Sequence, residues 1–210
     1  MRQLTSVALI LSTIFIASVA QADEQTRSLA AFKSVNNKGA FNLVIEVGKA
    51  QSVVVKGDDK FISKVVTEVV GDELMVSYRD KNSIKVSDLT LVTITVPELS
   101  KFKMEGAGST TINNIAGPRF DIDYEGVGKL TASGKVQTLR LKVQGVGMVD
   151  TKKLIAEVVD VSVEGVGSVS VYASDRLKAS VQGIGSLNYY GNPRTVNKSV
   201  EGIGSVRAGD

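Results

Sequence analysis

The sequence predicts an all-β chain wound as a right-handed parallel β-helix, a β-solenoid with coils of about 20 residues. Three observations predict it. One phrase recurs six times: Glu105-Gly-Ala-Gly108, Glu125-Gly-Val-Gly128, Gln144-Gly-Val-Gly147, Glu164-Gly-Val-Gly167, Gln182-Gly-Ile-Gly185 and Glu201-Gly-Ile-Gly204. The steps between copies are 20, 19, 20, 18 and 19 residues, and a near-constant period marks a stacked-repeat architecture. Around each copy apolar and polar residues alternate with period two, so the repeated unit is strand, not helix. Finally, two short strands cannot bury an apolar face alone. Stacked coils can, because each adds a rung at about 4.8 Å and extends the core. The handedness follows the rule for parallel crossovers. The competing layout is an antiparallel β-sandwich, which also uses short strands and frequent turns. Fixed glycine columns favour the solenoid, since sandwich strands do not repeat their sequence.

The elements follow in chain order. Residues 1–22 read as a cleaved signal peptide. Arg2 is the positive n-region, Val7 to Val19 the apolar h-region, and Ala20-Gln21-Ala22 the small-x-small cleavage site. The apolar run is too short for a membrane span, so no span is expected after cleavage. With no Cys at the cleavage point, a lipid anchor is not expected. Residues 23–31 read as a flexible polar lead-in. A single domain is expected over 32–210, with irregular coils or a cap over 32–99 and regular repeats over 100–206.

Within the irregular part, Phe41 to Val47 and Ser52 to Lys56 read as strands separated by the Gly48-Lys49 turn, with Gly57-Asp-Asp59 turning next. Phe61–Val66 has room for one helical turn, but its β-branched residues oppose a longer helix. Lys64 to Val70 and Leu74 to Tyr78 flank the Gly71-Asp-Glu73 turn. Asp80 to Asp88 is polar enough for a surface loop. Leu89 to Val96 is a strand stopped by Pro97, which cannot donate to a ladder.

Aligned on their glycines, the repeats give inward columns: Phe120, Ile122, Tyr124; Leu139, Leu141, Val143; Val159, Val161, Val163; Leu177, Ala179, Val181. Asp121, Asp123, Arg140, Lys142, Asp160, Ser162, Lys178 and Ser180 lie between them and face water. A second strand offers Leu130, Val149, Val169, Leu187 and Val206 inward. Ser133-Gly134, Ser174-Asp175 and Gly191-Asn192-Pro193 are expected to turn the chain. At one coil per 20 residues the expectation is nine or ten coils, roughly 45 Å of solenoid.

Composition limits function. After signal removal, 24 Lys and Arg stand against 22 Asp and Glu, a net charge of +2. The cations are scattered, so nucleic acid is not an expected partner. There is no Cys and no His, so neither a thiol nucleophile nor a His base is available, and stability rests on packing and ladders without disulfides. No catalytic residue, metal site or cofactor is assigned. Paired acids such as Asp121 and Asp123 have the residue types for glycoside chemistry, but such pairs are common on exposed strands.

The glycines Gly106, Gly108, Gly126, Gly128, Gly145, Gly147, Gly165, Gly167, Gly183, Gly185, Gly202 and Gly204 read as corner residues, where a strand bends and backbones approach closely. A phosphate cradle would need one such loop running into a helix N-terminus, and six copies running into strands do not fit. Ala107, Val127, Val146, Val166, Ile184 and Ile203 form an aliphatic stack between them. The column before the first glycine points outward by alternation. Its Glu125, Glu164 and Glu201 are candidate surface binding residues, with Gln144 and Gln182 separating the charges. One carboxylate per rung is too few for calcium, which takes six to eight oxygens. Tyr172, Tyr189 and Tyr190 are the candidate aromatic contacts for a sugar or a protein, with packing at the coil edge as the plainer reading.

One resemblance ties these pieces together. The opening strands Phe41–Val47 and Ser52–Gly57, the step Val92-Thr-Ile-Thr-Val-Pro97-Glu-Leu99, and repeats such as Val163-Glu-Gly-Val-Gly-Ser-Val169 resemble the bacterial family of autotransporter adhesin head domains, or GIN domains. The resemblance covers about residues 32–206. It implies an exported β-helical protein with a surface or adhesive role, and brings no catalytic residues. An autotransporter also needs a C-terminal membrane barrel. The sequence stops at Val206-Arg-Ala-Gly-Asp210, so self-export is not expected.

The expected function is that of an exported, non-enzymatic solenoid that binds or scaffolds at the cell envelope, in the periplasm first and at the cell surface second. Its partners would be envelope or host glycans or proteins. A carbohydrate-active β-helix enzyme and a self-assembling structural module, pairing through its coil ends as a homo-oligomer, are the alternatives.

Overall fold

The computed structural model describes residues 23–79 and 90–209. The N-terminal part holds β1 (Asp23–Arg27), β2 (Ser34–Asn37), β3 (Asn42–Val47), β4 (Ser52–Gly57), α1 (Asp59–Lys64), β5 (Val65–Val70), β6 (Glu73–Tyr78) and β7 (Leu91–Val96). The repeat half holds β8 (Lys101–Met104), β9 (Ala107–Tyr124), β10 (Val127–Val143), β11 (Val146–Val163), β12 (Val166–Tyr190), β13 (Thr195–Gly202) and β14 (Ser205–Ala208). The chain is a β-solenoid of parallel stacked coils.

Two walls run along the solenoid. The first stacks β6, β2, β8, the end of β9, the ends of β10 and β11, the middle of β12, and β13, all parallel. The second stacks β7, β3 and the starts of β9, β10, β11 and β12, also parallel. Its last described pair is β14 against residues 186–189 of β12. The interior follows the sequence columns. Tyr124, Val143, Val163 and Val181 stack rung on rung, as do Phe120, Leu139, Val159 and Leu177. All are at most 5% exposed, and burying each such side chain contributes about 1.5–3 kcal/mol.

The number of coils differs from expectation. The solenoid has about five turns, not nine or ten. The N-terminal part spends its length on antiparallel pairs instead: β1 with β4, β4 with β7, and β5 with β6. Tight turns at Gly48 (φ +87°) and Gly71 (φ +65°) accompany them. Residues 23–27 are likewise not a loose lead-in. They form β1, whose Arg27 guanidinium donates to the carbonyl oxygens of Ile62 (2.8 Å) and Val65 (3.3 Å).

These antiparallel strands and α1 close one end of the core. Asp58 caps the helix by accepting from the Phe61 N–H at 2.7 Å, and the β-branched pair Val65-Val66 ends it after six residues. Its Phe61 packs edge-on to Phe41 and Tyr78, with centroids 6.1 and 6.2 Å apart. The signal-peptide reading of residues 1–22, the loop reading of Asp80–Asp88 and the first expected strand residue Leu89 lie outside the described residues.

One turn expectation is corrected. Ser133-Gly134 and Ser174-Asp175 do not interrupt the strands but lie inside β10 and β12. The ladder shifts register near these bends, between Thr131 and Ser133 and between Ala156 and Val158. Bulges therefore turn the chain without breaking its pairing.

Candidate binding surface

The Gly-x-Gly phrase sits where the two walls meet. β9 ends at Tyr124 and β10 begins at Val127; β10 ends at Val143 and β11 begins at Val146; β11 ends at Val163 and β12 begins at Val166. Backbone bonds continue through the corner. The Glu125, Gln144 and Glu164 N–H groups donate to Met104, Tyr124 and Val143 carbonyls at 2.7–2.8 Å, and Val127, Val146 and Val166 donate to the first glycine of the coil before at 3.0–3.1 Å.

That bonding draws the glycines together. A Cβ added to Gly126, Gly145 or Gly165 would lie 2.0–2.2 Å from the carbonyl oxygen of the glycine one coil earlier. Gly128, Gly147 and Gly167 have the same conflict at 1.9–2.1 Å and also hold positive φ, between +135° and +149°. The corner changes at the last two copies. There the first glycine takes positive φ, at Gly183 (+140°) and Gly202 (+103°), and the nearest backbone oxygen to a Cβ on Gly185 is 3.4 Å away. An open groove of about 710 Å³ adjoins this looser stretch, lined among others by Val166, Ile184, Ile203 and Arg207.

The predicted acidic column is exposed and bonded in three separate groups. Gln144 Nε2 donates to Glu164 Oε2 at 2.7 Å, and Gln182 Nε2 donates to Glu201 Oε2 at 3.2 Å. Each glutamine thus separates carboxylates and also supplies a donor to one of them. Lys103 Nζ lies 2.6 Å from Glu105 and 3.4 Å from Glu125. This hydrogen bond holds the Glu105 carboxyl below the usual carboxylate range, against a smaller opposing effect of burial.

The three tyrosines do not share one patch. Tyr189 packs partly buried against the core. Lys152 Nζ sits 5.2 Å from the Tyr190 ring centroid, and a Cβ on Gly209 would lie 2.3 Å from that ring. Tyr172 is covered by the Gly191 turn, where a Cβ would approach its ring at 2.7 Å. All three are half-buried at coil bends.

The outer face of the first wall carries a pattern that reading one repeat at a time does not reveal. Down one column, Lys101, Asp121, Arg140, Asp160 and Lys178 are successive ladder partners, alternating strictly in sign. Down the next, Lys103, Asp123 and Lys142 alternate likewise. Lys101 Nζ reaches Asp123 at 2.8 Å, and Arg119 Nε donates to Asp121 at 2.8 Å. Asp121 and Asp123 are therefore each held by a cation. Among the described residues no group of three His, Cys, Asp or Glu side chains is placed to hold a metal ion. No helix among them is long and apolar enough to cross a membrane.

A family model described as "Putative auto-transporter adhesin, head GIN domain" matches residues 31–193. No curated protein matches the chain. Solved structures do. A protein titled a putative adhesin from Bacteroides fragilis NCTC 9343 aligns at a TM-score of 0.71 with 24% identity, covering 90% of this chain and 98% of that one. Another putative adhesin, from Parabacteroides merdae ATCC 43184, aligns at 0.56 with 20% identity, covering 91% and 97%. At these identities the likeness establishes the fold.

Proposed function

This chain belongs to the auto-transporter adhesin head GIN-domain family, and we propose that it is an exported, non-enzymatic solenoid that binds polar polymers of the cell envelope through the outer face of its first wall. The observation that carries this reading is the pair of charge columns, Lys101 to Lys178 and Lys103 to Lys142. A face alternating in sign every rung has no net field to gather a polyanion. It offers donors and acceptors in turn along its length, which suits a neutral or mixed-charge glycan spanning several coils. Family membership supports an adhesin-like role. The non-enzymatic part is supported by the cations that engage Asp121, Asp123 and Glu105. Export, to the periplasm in the first instance, is supported by the leader-like residues 1–22.

The test is a binding screen of purified residues 23–210 against envelope and host glycans and whole cells. Retention on a glycan, lost in Arg140→Thr with an unchanged melting temperature, is the expected result. Failure to bind any glycan or cell would remove the adhesive reading.

A further inference from the structure

We propose that the protein pairs side by side with a second copy of itself, solenoid axes parallel, through the aliphatic row at its Gly-x-Gly corner. Among the described residues eight large apolar side chains are exposed, and six of them lie on this one corner: Val127, Val146, Met148, Val166, Ile184 and Ile203. Their exposures run from 48% to 80%. Val127, Val146 and Val166 are direct ladder partners. Ile184 and Ile203 continue the row between the partner pairs Gly183–Gly202 and Ser186–Ser205. A contiguous exposed apolar row marks an interaction surface.

The rung spacing favours a like partner. Side chains along the row repeat at about 4.8 Å, whereas a docked helix repeats at about 5.4 Å per turn and drifts out of step over five rungs. A second solenoid of the same chain stays in step throughout.

The flanks set the orientation. Two residues before each aliphatic side chain stand Glu125, Gln144, Glu164, Gln182 and Glu201; two residues after stand Lys129, Met148, Ser168, Ser186 and Ser205. With a two-fold axis along the solenoid, the first flank of one copy faces the second flank of the other at equal height. Glu125 then meets Lys129, and Glu164, Gln182 and Glu201 meet the hydroxyls of Ser168, Ser186 and Ser205. Every carboxylate of the flank finds a donor. A two-fold axis across the solenoid would instead set one acidic column against the other. Such an interface is isologous and closes as a dimer.

The coil end is the poorer surface. Lys198 pairs with Ala179 in the column of Ile122, Leu141 and Val161. A charge therefore stands on the core side of the outermost strand, a placement that opposes strand addition.

The natural absence of Cys makes the test clean. Sedimentation velocity of residues 23–210 should show a concentration-dependent dimer. Val166→Asp and Ile184→Asp, at exposed positions, should keep the melting temperature and weaken the dimer at least tenfold. In disulfide trapping, a mixture of Glu164→Cys and Ser168→Cys proteins should cross-link more than either alone. A strict monomer at millimolar concentration would overturn the proposal, as would a dimer indifferent to both Asp variants. So would cross-linking by Glu164→Cys alone, which indicates the antiparallel pairing. Capture of a monomer by phosphatidylcholine vesicles, lost in Val166→Asp, would assign the row to a lipid surface instead.

Discussion

A Cβ on Gly165 would lie 2.0 Å from the carbonyl oxygen of Gly145, one coil earlier, whereas on Gly185 its nearest contact is the Val163 Cγ1 at 3.3 Å. The same motif thus carries two different constraints. In the first four copies a Cβ on either glycine would meet a backbone oxygen at 1.8–2.2 Å, whereas in the fifth the nearest approaches are 2.9 Å at Gly183 and 3.3 Å at Gly185.

Gly165→Ala should therefore destabilise by at least about 3 kcal/mol, since neither coil can retreat without breaking its ladder. Gly185→Ala should cost no more than about 1 kcal/mol, because a side-chain methyl can yield and φ there is not positive. Urea melts of the two variants check this. Equal midpoints would show that close backbone approach does not set the motif.

Replacing Gln144 by Glu removes the donor to Glu164 and aligns three carboxylates, with Glu125 and Glu164 on either side. At one rung of separation each like-charge pair costs roughly 0.8 kcal/mol in water. Gln144→Glu should lower the melting temperature at pH 7 and low salt, and the loss should shrink in 1 M salt. A loss independent of salt would point to packing, not charge.

Thr110 occupies a fully buried place in the column continued by Leu130 and Val149, and its hydroxyl has no partner among the described residues. Thr110→Val keeps the shape and removes the unmatched polar group. It should stabilise by about 1 kcal/mol, read as a raised urea midpoint at unchanged slope.

Tyr78 donates to the Ala40 carbonyl at 2.7 Å, and its ring meets that of Phe41 at a tilt of 50° with centroids 4.3 Å apart. Burial pushes its phenol up to about 12, against about 10 in the unfolded chain. A raised pKa means the folded state holds the proton more tightly. Its stabilisation is complete below pH 10 and is lost as pH rises through 12. Tyr78→Phe should lose about 1 kcal/mol at pH 7 with the hydrogen bond. The gap between the two proteins should narrow from pH 10 to 12. A constant gap would show that Tyr78 does not titrate in this range.

The regular half was legible because every coil repeats one environment. Period-two alternation placed Leu139, Val159 and Leu177 inward, and the six glycine pairs marked the wall junction. The N-terminal part was not legible to the same degree. Strands such as Ser52–Gly57 show the same alternation whether they pair parallel or antiparallel, so alternation alone does not separate a further coil from the antiparallel pairs that stand there. The glutamine spacing was visible, but its hydrogen bonds required neighbouring coils. Reading outward residues repeat by repeat hid the alternation of Lys101, Asp121, Arg140, Asp160 and Lys178. Their relation runs across coils, and the steps between copies vary from 18 to 20 residues.

The sequence by itself determined the stacked-coil fold, the inward columns and the place of the glycine corner. These follow from local alternation and from a repeat that only stacking can satisfy. The tertiary structure decided what lies side by side. Register made alternating charges into ladders, and the wall junction turned Val127, Val146, Val166, Ile184 and Ile203 outward. It also set Lys198 on the core side of β13, the outermost described strand of the first wall. Each outcome depends on contacts between residues about 20 apart, whose alignment is fixed by the ladder rather than by any single strand.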